Sequence, residues 1–150
     1  MTRRLQGHAV IPGGARGVVL ASSEPLSFWG GYDWHTGEVI DRRHPLSGQI
    51  AAGRILAVPF TRGSSTTTAV LLEAIKAGTA PAAIITLESD FFFALASVVA
   101  EEMYGLALPL VVVTPEEFAD LRTGDGATIG ADGVVLVTIG AHGIASMALH

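Results

Sequence analysis

A chain of 150 residues with no cysteine, nine basic and fourteen acidic side chains and a formal net charge of −5 excludes disulfides, thiol catalysis, zinc ribbons and any iron–sulfur cluster ligated by this chain alone. Its single lysine, Lys76, and scattered arginines form no basic stripe for a nucleic-acid backbone, and its longest apolar runs, Phe91 to Ala100 and Leu106 to Val113, fall short of the roughly 20 residues that cross a bilayer. With apolar residues at 49% and charged residues at 15%, the composition predicts one globular domain over residues 1–150 with an ample core, and its apolar excess points either to a surface covered by a partner or to buried parallel strands.

Arg3 and Arg4 are followed by Gln6, Gly7 and His8 where the apolar segment of an export signal would lie, so a soluble cytoplasmic protein is expected. From Gly7 to Ala21, Ala9, Val10 and Ile11 stand on one side of Pro12-Gly13-Gly14-Ala15-Arg16-Gly17, and Val18, Val19 and Leu20 on the other. That is the pattern of strand, glycine-rich turn and strand. Glu24 to Gln49 has no sustained period and reads as an extended, loop-rich segment. Ile55 to Val58 is a short buried strand ending at Pro59. Thr61-Arg62-Gly63-Ser64-Ser65 then leads into a helix with Val70, Leu71, Ala74 and Ile75 on one face.

Gly78 caps that helix, and Ala82 to Leu87 is the next buried strand. Asp90 is the N-cap of a helix from Phe91 toward Tyr104, ending at Gly105, with Phe92, Leu95, Val98 or Val99, and Met103 expected in the core. Leu108 to Val113 is again a strand. Thr114-Pro115-Glu116-Glu117 is a capping box opening a short helix to Leu121. Gly124-Asp125-Gly126, Ile129, Asp132-Gly133 and Val134 to Ile139 read as strands joined by a two-residue Asp-Gly turn. This order predicts an α/β domain with a parallel central sheet, flanking helices and extra β-strands at both ends.

Chemistry is expected at Arg62-Gly63-Ser64-Ser65-Thr66, between the carboxyl end of a strand and the amino end of a helix, where open α/β sheets bind ligands. Gly63 permits a tight turn, and the positive end of the helix dipole with its first-turn amides can hold a carboxylate or phosphate. A serine there has two readings. It is an ordinary N-cap, or, with amides and an arginine stabilising its alkoxide, a base. A second candidate is the loop carrying Phe28, Trp29, Gly30, Gly31, Asp33 and His44, which could cover the site or seal an interface. Trp29 and Trp34 are either partner anchors or core residues. Asp33, His35, Asp41 and His44 match no standard metal spacing, and no metal site is expected. His8, His142 and His150 have no partnered motif and read as structural or exposed.

Leu26-Ser27-Phe28-Trp29-Gly30-Gly31-Tyr32-Asp33, Thr36-Gly37, Asp41, His44-Pro45-Leu46-Ser47-Gly48 and Arg62-Gly63-Ser64-Ser65-Thr66, continuing through Leu72-Glu73-Ala74-Ile75 and Ala80-Pro81-Ala82-Ala83-Ile84-Ile85, resemble the swivel-domain small subunit of aconitase X. The resemblance covers almost the whole chain with its motifs in order. It implies a swivelling β/β/α domain docked on a large catalytic subunit that carries an iron–sulfur cluster on its own cysteines. It further implies Ser64 as the catalytic base, with Arg62, Gly63, Ser65 and Thr66 binding a small hydroxy-acid substrate. Other members of the superfamily place an arginine directly after the serine pair, whereas this chain has Thr66 there and Arg62 before the glycine.

Within that family the resemblance implies a hydro-lyase dehydrating cis-3-hydroxy-L-proline to Δ1-pyrroline-2-carboxylate, or alternatively the small subunit of a mevalonate 5-phosphate dehydratase. An acidic domain offers few cations to a phosphorylated substrate, which favours hydroxyproline. Two other classes stand beside it. A phosphohistidine swivelling domain would need a histidine where this chain has serine, and a noncatalytic anion-binding or scaffolding module would use the helix terminus without proton transfer.

Overall fold

The computed structural model of the chain describes residues 2–61 and 65–139, with Ser65 described by its backbone only. Arg62, Gly63 and Ser64, and histidines 142 and 150, lie outside the described residues.

In chain order the elements are β1 (Thr2–Gln6), β2 (His8–Ile11), β3 (Ala15–Ala21), β4 (Tyr32–Asp33), β5 (Glu38–Val39), β6 (Ile55–Ala57), α1 (Ser65–Ala77), β7 (Ala83–Thr86), α2 (Phe91–Tyr104), β8 (Leu110–Val112), α3 (Pro115–Ala119), β9 (Gly126–Ile129) and β10 (Val134–Thr138). The main sheet has the order β1-β10-β9-β3-β6-β7-β8-β2. β3, β6, β7 and β8 run parallel, and antiparallel strands flank them on both sides. The expected parallel centre with extra strands is thus present. β3 joins its two parts, with Ala15 to Val18 pairing antiparallel to β9 and Val19 to Ala21 parallel to β6.

The first and last strands of that order, β1 and β2, are consecutive in the chain with Gly7 alone between them, so the sheet wraps round and its two ends are covalently joined. This join holds β1, paired with β10, next to β2, paired with β8. It depends on two glycines. A Cβ on Gly7 would stand 2.6 Å from the Gly133 carbonyl oxygen, and one on Gly133, whose φ is 88°, would stand 2.7 Å from the Gly7 oxygen.

Alternation along the parallel strands builds two cores. Val19, Ile55, Ala83, Ile85 and Val111 face the inside of the wrapped sheet, where Phe118 of α3 and Leu121 also pack. Leu20, Leu56, Ile84 and Leu110 face outward onto α1 and α2, meeting Leu71, Ala74 and Ile75 as the spacing in α1 predicts. The expected capping box is present at Thr114 and Glu117, and Gly105 ends α2 in the left-handed conformation at φ 68°.

One expectation for α2 is overturned. Leu95, Val98 and Met103 are exposed, together with Phe91, while Phe93, Ala96, Ser97 and Ala100 face the core. The small side chains turn inward because α2 lies closely against α1 and the sheet. Ser97 is satisfied there by both donating to the Leu108 carbonyl and accepting from the Leu108 amide, each at 2.8 Å. β1 is a second difference: with Leu5 as its one buried apolar residue it has no local strand signal, and it exists through its pairing with β10.

Candidate active site

The site is framed at the carboxyl ends of β3, β6 and β7. Beyond β6 the chain stays attached to its neighbours, the Val58 amide donating to the Ile85 carbonyl and the Pro59 carbonyl accepting from Leu87, each at 3.1 Å. It reaches Thr61, which forms a parallel bridge with Leu26. Arg62, Gly63 and Ser64 follow, and α1 begins at Ser65 with Thr66 exposed in its first turn.

The amino ends of α1 and α2 meet at this edge. Asp90 caps α2, its Oδ1 accepting from the amides of Phe92 and Phe93 at 3.1 and 3.2 Å. Its Oδ2 accepts the backbone N–H of Thr61 at 2.8 Å and the Thr61 hydroxyl at 2.9 Å. The hydroxyl of Thr68, in α1, donates to the Phe92 carbonyl at 3.1 Å. The two helix termini differ in charge. A carboxylate closes that of α2, whereas the first turn of α1 contains no acidic residue, which leaves the positive end of its dipole without a carboxylate of its own turn.

Thr67 is fully buried, on the core-facing side of α1 with Leu71 and Ala74, and its hydroxyl has no hydrogen-bond partner among the described residues. An unsatisfied buried hydroxyl costs about 1–3 kcal/mol. Thr67→Val keeps the side chain's shape and removes that hydroxyl, and should stabilise the chain by about 1 kcal/mol, raising Tm by roughly 2–4 °C in a scanning melt. A lower Tm would show that the hydroxyl is bonded in solution.

The aromatic-glycine segment is divided between surface and core. Phe28 is fully buried, stacked on Tyr32 at 4.7 Å between ring centroids and edge-on to Phe93 at 5.5 Å, so its ring covers no surface. Trp29 is 68% exposed, and Gly30 beside it has φ 77°. Gly31 is buried, and a Cβ there would collide with the Ser27 carbonyl oxygen. Trp34 packs partly buried against the core and stacks on His35. Tyr32 donates its hydroxyl to the Thr79 carbonyl at 2.6 Å, and burial pushes its pKa up.

Asp33 and His44 serve the turns they sit in. The Asp33 carboxylate accepts the His35 amide at 2.9 Å, and this bond above all, with the ring of His35, holds its carboxyl below the usual carboxylate range. His44 is buried, its Nδ1 accepting the Leu46 amide at 3.1 Å, which leaves the proton on Nε2 facing the Glu24 carbonyl at 3.3 Å. Asp41 and His44, with Arg42, Arg43, Glu24 and Pro25, line a polar cavity of about 440 Å³. Among the described residues no group of three or more His, Asp or Glu side chains is placed to hold a metal ion. An iron–sulfur cluster requires thiolates that this chain lacks, so its donor set does not fit one.

Asp90 is legible in the sequence only as a helix cap. Its bond to Thr61 spans 29 residues and has no local signature.

The family model of the aconitase X swivel domain matches residues 4–138. The chain belongs to the aconitase X swivel-domain family. This swivel domain is 47% identical over 131 residues to the cis-3-hydroxy-L-proline dehydratase of Pseudomonas aeruginosa, an alignment covering 84% of the chain and 22% of that enzyme. The chain therefore spans less than a quarter of that relative's length. It is 46% identical over 88 residues to the phosphomevalonate dehydratase small subunit of Methanothermobacter thermautotrophicus, covering 59% of this chain and 67% of that subunit. Among solved structures, the holo-form of Thermococcus kodakaraensis aconitase X superposes with a TM-score of 0.81 at 33% identity, over 91% of this swivel domain and 99% of the matched chain.

Proposed function

We propose that this chain is the base-bearing small subunit of an aconitase X type hydro-lyase that dehydrates cis-3-hydroxy-L-proline to Δ1-pyrroline-2-carboxylate. The observation that carries the reading is the place of Arg62-Gly63-Ser64-Ser65 in the chain. The motif joins Thr61, held at the carboxyl edge of the sheet, to the acid-free first turn of α1. The similarity to the Pseudomonas dehydratase supports the same substrate.

In this reading the substrate carboxylate lies at the α1 terminus, bound bidentately by Arg62 and by the hydroxyl or amide of Ser65, with Thr66 beside it. Ser64 takes the proton from the carbon α to that carboxylate, its alkoxide stabilised by the helix dipole. The neighbouring carbon loses its hydroxyl, so that proton and hydroxide leave as water, and the cyclic enamine acid tautomerises to the imine. A Lewis acid for the departing hydroxyl is what an iron–sulfur cluster supplies, and without cysteine in this chain it belongs to the large subunit. The exposed Phe91, Leu95 and Val98 on α2 offer that subunit an apolar surface beside the site. We place the assembly in the cytoplasm. Among the described residues no helix is long and apolar enough to cross a membrane.

The similarity to the Methanothermobacter subunit favours a second reading, in which mevalonate 5-phosphate is the substrate. The test is to co-purify the chain with its large subunit and assay both compounds. Turnover of cis-3-hydroxy-L-proline by the assembly, and none by either polypeptide alone, is the expected result. Turnover of mevalonate 5-phosphate alone would transfer the assignment to the second reading. Binding of both without loss of water would leave an anion-binding module.

A further inference from the structure

Two ties to the first turn of α2 bracket the segment that carries Ser64. Ahead of it, Thr61 gives its backbone N–H and its hydroxyl to Asp90 Oδ2 at 2.8 and 2.9 Å. Behind it, Thr68 gives its hydroxyl to the Phe92 carbonyl at 3.1 Å. Only residues 62–64 lie between Thr61 and the start of α1.

Capping α2 accounts for one oxygen of Asp90, the Oδ1 that accepts from Phe92 and Phe93. An asparagine would cap as well, so capping alone does not call for a carboxylate. The second oxygen meets two donors from a residue far away in sequence. Thr61 is itself buried, so its N–H has no water to turn to if this acceptor is withdrawn. The first turn of α2 is in turn braced by the Phe93 ring against Phe28.

We propose that Asp90 is a positioning residue for Ser64: through Oδ2 it holds Thr61 and so fixes where the serine-bearing segment leaves the sheet. The proposal rests on the reading above, in which Ser64 takes the proton. Asp90 touches no substrate and acts through residue 61.

Asp90→Asn separates the two functions, because the amide oxygen continues to cap α2 while the amide nitrogen presents a donor to the Thr61 N–H. Thr61→Val removes the hydroxyl donor alone, and Thr61→Ser keeps both donors. In the full chain, amide hydrogen exchange at Thr61 should accelerate in Asp90→Asn while the Phe92 and Phe93 amides keep their protection. In the assembly with the large subunit, kcat should fall by about 10- to 100-fold, the loss expected of a catalytic group displaced by a fraction of an ångström to an ångström. KM should rise as well, because Arg62, which binds the carboxylate in this reading, lies in the same segment as Ser64. Thr61→Val should lose less, and Thr61→Ser should match the parent chain.

Unchanged exchange at Thr61 in Asp90→Asn would overturn the tie. Faster exchange with an unchanged kcat would overturn the positioning role, as would a loss that follows Tm and is equal in Thr61→Ser and Thr61→Val. If the unsubstituted assembly turns over neither substrate while exchange responds as expected, the dehydratase reading falls and the Asp90–Thr61 tie stands.

Discussion

Ser64→Ala in the assembled enzyme is expected to lower kcat by about 10²- to 10⁴-fold, the usual contribution of a positioned general base. The upper value corresponds to about 5–6 kcal/mol of transition-state stabilisation. Arg62 and Ser65 keep their side chains in this variant, so substrate binding should change much less than kcat. The assembly should elute intact from a sizing column, because the exposed apolar residues of α2 lie outside the substitution. Ser65→Ala is the internal control. A hydroxyl that only helps to hold a carboxylate should act mainly through KM, so its kcat should stay closer to that of the parent chain. If Ser65→Ala proves the more damaging to kcat, the base is residue 65. Full turnover in Ser64→Ala would remove proton abstraction by that side chain altogether. Arg62→Lys tests the carboxylate partner in the same assay, since lysine keeps the charge and loses the bidentate fork.

What the sequence makes legible here is what depends on near neighbours. Asp90 and Gly105 bracket α2, and Thr114 with Glu117 forms the cap of α3, because each is a contact within a few residues. The four parallel strands are readable as short apolar runs, the last three separated by helices. The face of α2 is not, since large apolar residues occur all around its first three turns and the period has no unique phase. The packing against α1 decides it, by admitting Ala96, Ser97 and Ala100 and leaving Phe91, Leu95 and Val98 outside. Phe28-Trp29-Gly30-Gly31 carries the same lesson at the site's border. Two aromatic neighbours followed by glycines look alike in sequence, yet one ring enters the core and the other meets solvent. The close approach of Gly31 to the Ser27 carbonyl forms the turn that separates them. The acceptor for Thr61 comes from a different helix, and no local pattern announces such a pairing.

Phe28→Ala should be the most damaging of the core substitutions considered, while Trp29→Ala, one residue on, should leave stability almost unchanged. The Phe28 ring is fully buried, with Tyr32 stacked on one face and Phe93 meeting it edge-on. Truncation removes its transfer free energy and both ring contacts and leaves a cavity whose walls include the first turn of α2. The expected cost is about 3–5 kcal/mol. For a domain of this size that corresponds to a fall in Tm of roughly 6–20 °C. Trp29, at 68% exposure, has little contact to lose, and its replacement should stay within about 0.5 kcal/mol. Urea unfolding of the two variants beside the parent chain measures the contrast directly, with the slope of the transition unchanged if only stability is altered. Equal losses in the two variants would mean that Trp29 is covered in solution. A stable Phe28→Ala would mean that the ring does not occupy the core. The partner assay then separates the residues by role: a Trp29→Ala chain that folds normally but associates poorly makes this tryptophan part of the docking surface, whereas Phe28→Ala should act through unfolding alone.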